Sequence, residues 1–490
     1  MQQQGYHNGA GRQGHFANPR LVVQEHRGAP LLNGAGLVII RQLIERLGIA
    51  QAINAGLRLL RRHKPYAESD HILTLVYNLL SGGETLNDVN RLGDDPALLR
   101  VLDAEHVPHA TTIGDFLARF KPKKNDREQR PLHKLREVID TVQQRAFALL
   151  PRKRRKVATL DWDSSNHEVY GEQKEGADFA HDKTWCYNVL YATLAETGDV
   201  LYQDLREGNT YTSAGTAAVL PATIERVSEH FRQVRLRADS GFYDQEIVKI
   251  CTQRQVEFFI VAKQYKNLLK AVHAIPEDAW KSFEPQQLTK GGRSGKKRKR
   301  QENHKRTITV ERKPDTWFKG KPQVASITFR PASWKQAYRF VIKRTPILDK
   351  DDRQLYLADG LRRYSYYIVV TNSKDSDTAV LRTAQGRGNQ ENLIKDFKHG
   401  LGLSHVPTGV LAANQAYFLI AALAWNLKTW MLNLLRLGDG AVMRCKRFLY
   451  LWISQAAVVS KTGRDTLVLR LPPGEYYQRF GTALARVAAL

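Results

Sequence analysis

Residues 157–163 read VATLDWD, and the stretch continues as SSNHEVYG to residue 171. Ala158, Leu160 and Trp162 alternate with Val157, Thr159, Asp161 and Asp163. A period of two is that of a β-strand and puts both aspartates on one face. A mostly apolar strand with two carboxylates on one face predicts a face that is wet, metal-bound, or both. The elements that follow set the fold class. TWCYNVLYATLA and DVLYQDLREG read as strands joined by an ETGD hairpin turn, and SAGTAAVLPATIERVSEHF reads as a helix. In VRLRADSGF, Val234, Leu236 and Ala238 face one way while Arg235, Arg237 and Asp239 face the other. The helix DQEIVKICTQRQ and the strand VEFFIVAK come next. A hairpin, helix, strand, helix, strand order predicts an α/β sheet with active groups at strand ends.

The rest of the chain divides around this core. At 490 residues it is too long for one small core, so several domains are expected. Residues 1–20 read as a flexible polar tail without the apolar stretch of a secretory signal. Residues 21–120 carry apolar positions three and four apart, as in LVIIRQLIERLGIAQAINAGLRLL from Leu37 to Leu60, and are expected to be an all-α N-terminal DNA-binding module. Residues 121–156 form a basic linker that encloses an amphipathic helix and ends in PRKRRK. The first part of the core is 157–265. A β-rich insertion with the polybasic KGGRSGKKRKRQENHKR, separate from the sheet, occupies 266–358. The second part of the core is 359–440, and a C-terminal helical segment is 441–490.

The charge balance points to a polyanionic partner. Lys and Arg number 75 against 49 Asp and Glu, a formal charge of +26. Nucleic acid suits that excess better than a small substrate does. A membrane partner is not expected: AYFLIAALAW, residues 416–425, is followed by Asn426 and Lys428 and is too short to cross a bilayer. It predicts a core helix. The three cysteines, Cys186, Cys251 and Cys445, form neither a zinc motif nor a disulfide framework, and a reducing cytoplasm fits them.

A third acidic position lies in SDTAVLRTAQGRGNQENLIKDFKHGLG, residues 376–402. Stepping by the helical angle, Arg387 and Lys398 fall within about 40° of Glu391, while Leu393, Ile394 and Phe397 fall toward the back. An ordinary surface helix with ion pairs four residues apart would give the same stripe. The company of Asp163 and Asp239 favours a site, because three carboxylates can hold two divalent cations about 3.5–4 Å apart for phosphodiester chemistry. An all-oxygen donor set suits Mg2+, with Mn2+ as a substitute.

These blocks together resemble the DDE transposases of bacterial insertion sequences, in particular the group numbered 1380 within the superfamily that carries a Tyr-Arg-Glu-Lys signature. GGETLNDVNRLGDDPALLRVLDAEHVPHATTIGDFLARF looks like the N-terminal block of such proteins. LDWDSSNHEVYGEQKEGADF, LREGN and RADSGF look like the first-aspartate, hairpin and second-aspartate blocks. Arg387, Glu391 and Lys398 match the signature, whereas Ala384 stands where the family often has tyrosine. The resemblance implies an RNase H-like (retroviral-integrase-like) catalytic core with a β-rich insertion, and a metal site of Asp163, Asp239 and Glu391. It implies a DNA clamp of Arg387 and Lys398, to which Lys395 and the basic run Arg152, Lys153, Arg154 and Arg155 are added. Asp163, followed by two serines, ranks above Asp161, for which a structural hydrogen-bonding role or a place behind the ligands stays open. Trp317 and Trp334 are candidates to stack on an unpaired base, against the alternative of packing inside a small β-domain.

The activity expected from the resemblance is binding of terminal inverted repeats in double-stranded DNA, cleavage at the element ends, and transfer of the 3′-hydroxyls to target DNA by a homodimer at the nucleoid. A nuclease of the same fold without strand transfer, and a DNA-binding protein with a decayed centre, are the alternatives. Strand-transfer and metal-dependent cleavage assays separate the three.

Overall fold

The computed structural model describes residues 28–122, 130–283, 318–319, 321–348, 364–438, 443–462 and 466–490. The polar tail, Trp317 and the polybasic run of the insertion lie outside the described residues. Fourteen strands occur among those described: β1 Leu31–Asn33, β2 Val157–Glu168, β3 Asp178–Phe179, β4 Trp185–Leu194, β5 Val200–Arg206, β6 Gln233–Ala238, β7 Glu257–Val261, β8 Lys281–Ser282, β9 Phe318–Lys319, β10 Gln323–Phe329, β11 Tyr338–Leu348, β12 Tyr364–Thr371, β13 Ala456–Thr462 and β14 Thr466–Arg470.

The molecule is a mixed α/β structure built on a large mixed sheet of order β3-β4-β2-β6-β7-β12-β11-β10-β8, with β5 paired to β4 and β9 to β11. β2 runs antiparallel to β4 and parallel to β6, and β6 is parallel to β7. A parallel neighbour needs a crossover, and the helices Thr216–Ser228 and Gln245–Gln253 supply two. The tight turn between β4 and β5 uses Gly198 at φ 82°, a left-handed conformation that side chains resist.

The long helix Leu411–Leu434 is buried on nearly every side, as the apolar run predicts. Its polar residues are docking groups. The Asn426 amide both donates to the carbonyl of Val200 and accepts from its N–H. Buried Lys428 lies 3.6 Å from the centre of the Trp425 ring and 3.8 Å from Asp396.

Three expectations are corrected. The segment 266–358 is not separate from the sheet: β11 pairs along its length with β12, and β10 with β11, so the insertion's described strands extend the main sheet. Both faces of these strands are covered: Val324 and Val341 pack with Val369 of β12 on one side, and Ala325, Phe340 and Ile342 join Ile368 and Val370 in the main core on the other. The C-terminal segment is not purely helical, since β13 and β14 form a hairpin ahead of the helix Glu475–Ala488. The N-terminal module is not all-α either. β1 pairs with β13, Leu32 opposite Ala457, across more than 400 residues of chain.

Candidate functional site

Strand register brings the first two acids to one level. Asp161 pairs with Arg237 and Trp162 with Ala238 across the parallel β2–β6 ladder, so Asp163 and Asp239 come next on adjacent strands. Both line one open cleft of about 690 Å³, together with Ser164, Asn166, Asn188 and Lys263. The loop after β5 forms the opposite wall. Arg206 holds it by donating to the carbonyls of Ala214 (2.6 Å) and Thr212 (3.1 Å) and to the side chain of Asn188. Gly208 is needed there, because a Cβ would stand 2.1 Å from the carbonyl oxygen of Cys186.

Asp161 and Asp163 differ although they share a face. Asp161 is 1% exposed, and the Arg237 guanidinium grips it through two bonds of 2.6 Å. Burial pushes its carboxyl up to about 6 against that pull. Arg237 also donates to the carbonyl of Thr383, and Gln390 to the carbonyl of Asp161. A Cβ on Gly386 would meet Arg237 Nη1 at 2.3 Å, so the small residue makes room for this fork. The face expected to be wet or metal-bound is therefore, at Asp161, closed by a buried ion pair. Arg237 was legible as sharing the face of Asp239, but nothing local in the sequence marks it as the partner of Asp161.

Asp163 is only partly buried. Its Oδ1 accepts from the N–H of Ser164 at 2.9 Å and its Oδ2 from Arg387 at 2.8 Å. Burial pushes its carboxyl up to about 6, Arg387 draws it down, and the nearby Asp239 pushes it up again. Asp239 Oδ1 accepts from the N–H of Gly241 at 2.9 Å.

Glu391 and Arg387 belong to the last stretch of the sheet's cover. The helix Gly388–Gly400 buries Gln390, Ile394 and Phe397, and Phe397 packs edge-on against Tyr191 and Trp425. Arg387, at the N-terminal boundary of that helix, bridges Asp163 and Glu391, the latter at 3.3 Å. Lys398, pushed down in pKa by burial, donates to the carbonyl of Asn166 at 3.2 Å on the cleft rim. Lys395 is exposed on the same helix. Ala384 is packed with Phe259, Val369 and Val380, so the position where the family often has tyrosine is an apolar contact here. Among the described residues, no three Asp, Glu, His or Cys side chains gather closely enough to hold a metal ion. Asp163 and Asp239 line the cleft, whereas Glu391 is not among its described lining residues and is joined to Asp163 through the guanidinium of Arg387.

Other candidates fall elsewhere. Trp334 is 5% exposed and stacks at 4.9 Å on Tyr243, which corrects the expectation of a base-stacking surface: its faces are already packed. The exposed aromatic that lines the cleft is Tyr211, whose hydroxyl accepts from Lys263 at 2.7 Å. Its position depends on the loop wall, which sequence periodicity does not reveal. Arg152, Lys153 and Arg154 form an exposed turn before β2, with Arg155 half-buried, and Arg154 donates to Asn433 at 2.6 Å.

No curated protein matches the sequence. The solved structure described as the piggyBac transposase synaptic complex with hairpin DNA aligns with a TM-score of 0.41 and 12% identity, over 86% of this chain and 80% of that one. Residues 15–490 match the family described as Transposase DDE domain group 1. By that match, which spans almost its whole length, the chain belongs to the DDE transposases.

Proposed function

We propose that this protein is the transposase of a bacterial insertion sequence, of the group numbered 1380, and that it cuts and joins DNA at the cleft between Asp163 and Asp239. In this reading β5-β4-β2-β6-β7 is an RNase H-like core, and a homodimer brings two terminal inverted repeats together. The observation that carries it is the common level of Asp163 and Asp239 on adjacent strands, with Glu391 joined to Asp163 through Arg387.

The donor set supports a hard divalent cation. It consists of carboxylates, which suit Mg2+ or Mn2+, and Arg387, which pairs with both Asp163 and Glu391, would have to give way for an ion to take its place. Asp163, Asp239 and Glu391 would hold two such ions, which when bound activate the attacking oxygen and stabilise the leaving one. Arg387, Lys395 and Lys398 would meet phosphate oxygens, a task suited to their charge and to the fork of arginine. Arg152, Lys153, Arg154 and Arg155 would add backbone contacts without reading bases. In the first displacement water attacks phosphorus in line and the element's 3′-oxygen leaves as a hydroxyl. In the second, that hydroxyl attacks a target phosphodiester, forms the new P–O bond and expels a target 3′-hydroxyl. Arg237 and Gln390 position β2 through Asp161 and take no part in the displacement.

The test uses a DNA fragment spanning an element end and its flank, with Mg2+, and compares wild type with Glu391→Gln. Binding within twofold of wild type and cleavage lower by at least about a hundredfold are expected. Equal cutting would remove Glu391 from the mechanism. Labelled ends that are cut but never joined to a second duplex would favour the nuclease reading.

A further inference from the structure

The side chain of Arg387 competes for the same oxygens that a bound cation would need. Its Nη1 donates to Asp163 Oδ2 at 2.8 Å and its Nη2 to Glu391 Oε1 at 3.3 Å, so one guanidinium spans two acids from distant parts of the chain. The other oxygen of Asp163 accepts from the N–H of Ser164, and both oxygens therefore have a donor. The Asp163 side chain is only 14% exposed, and a carboxylate so far from water is costly without a partner. Arg387 supplies that partner from within the protein.

The surroundings let the side chain leave while its helix stays. Buried Gln390 donates to the carbonyl of Asp161 and Phe397 is fully buried, which fixes the helix Gly388–Gly400 to the sheet. Arg387 lies at the boundary of that helix with its side chain 19% exposed, and the Glu391 side chain is 65% exposed. Release is thus a rotation of one side chain toward solvent. The planar fork that grips a carboxylate fits a phosphate equally well.

We propose that Arg387 is a latch on the candidate metal site: in the DNA-free protein its guanidinium takes the cation's place between Asp163 and Glu391, and a DNA phosphate draws it away so that divalent ions enter. The inference rests on the reading of Asp163, Asp239 and Glu391 as the metal site of a transposase. An ion that enters without DNA must break charge-assisted bonds and leave the guanidinium without a counterion. Once phosphate receives the guanidinium, the same entry costs less, so DNA and metal raise each other's affinity. The latch keeps the acids from holding ions until a strand lies at the cleft.

The test titrates Mn2+ into the full chain without DNA and reads the free ion by electron paramagnetic resonance. Arg387→Gln loses the fork and the charge, and should bind Mn2+ at least about tenfold more tightly than wild type. Lys263→Gln removes a positive charge from the same cleft, at a side chain whose hydrogen bond is to Tyr211, and should change the affinity by less than about threefold. Arg387→Lys keeps the charge without the fork and serves if glutamine disturbs folding; it should bind at least about threefold more tightly than wild type. An element-end duplex, with the duplex alone as background, should bring wild type and Arg387→Gln to within about threefold. Wild-type affinity in both arginine variants, an equal gain in Lys263→Gln, or a gap that persists on DNA would overturn the latch. Mn2+ binding absent throughout, or unaltered when Asp163→Asn and Asp239→Asn are combined, would instead defeat the reading of these acids as a metal site, and the latch with it.

Discussion

The imidazole of His167 lies edge-on to Phe418, with its Nε2 2.6 Å from the carbonyl oxygen of Leu403. Burial and the nearby Lys398 push its pKa down to about 3. An unfolded chain binds a proton there below about 6.5, so stability falls as pH drops from that value toward 3 and is fully present above it. Replacing His167 with Phe should flatten urea-unfolding stability between pH 6.5 and 5 by up to about 1.4 kcal/mol per pH unit. Parallel pH profiles for the two proteins would show that the imidazole is not the source. Its partner, 236 residues away in the chain, could not have been named from the local pattern.

At the scale of elements, the helix Leu411–Leu434 locks the β4–β5 hairpin from one side. Trp430 donates from Nε1 to buried Asp199, Asn433 to the carbonyl of Thr197, and Trp425 to the carbonyl of Gly198. Burial pushes Asp199 up to about 6, and the bonds it accepts from Thr197 and Trp430 pull the other way by stabilising its charged form. Trp430→Ala removes a nearly fully buried ring and one of those donors, and should cost about 3–5 kcal/mol in denaturant unfolding. A loss below about 1 kcal/mol would mean that the hairpin is held without the helix. The period of the apolar residues was enough to read this as a core helix. It was not enough to read Asn426 and Lys428 as docking groups, because their partners are set by packing and not by spacing. In the same way YRFVIKR announced a strand, but only the pairing of β11 with β12 decided that it joins the main sheet.

Across the whole molecule, one continuous core runs from the N-terminal helices through the sheet's layers to the C-terminal helix. β1 closes the circuit, since the N–H of Val459 donates to the carbonyl of Pro30 and the N–H groups of Gly34 and Ala35 share the carbonyl of Gln455. Deleting residues 1–33 should speed hydrogen exchange at Val459 by at least about tenfold while leaving β2 and β6 unchanged, as measured by mass spectrometry. Unchanged exchange at Val459 would show that β13 is held by β14 alone. Among the described residues, no helix is long and apolar enough to cross a membrane. The residues by themselves determined the alternating strands that carry Asp163 and Asp239, the helix stripe of Arg387, Glu391 and Lys398, the core character of 416–425 and the cationic excess. Each of these is periodicity or composition, which a chain displays without folding. Only tertiary structure decided that Asp161 is sealed by Arg237, that Trp334 is inside, that the insertion's described strands extend the sheet and that β1 pairs with β13. Each of those depends on contacts between segments distant in sequence, where register and packing choose the partner and local pattern carries no information about the choice.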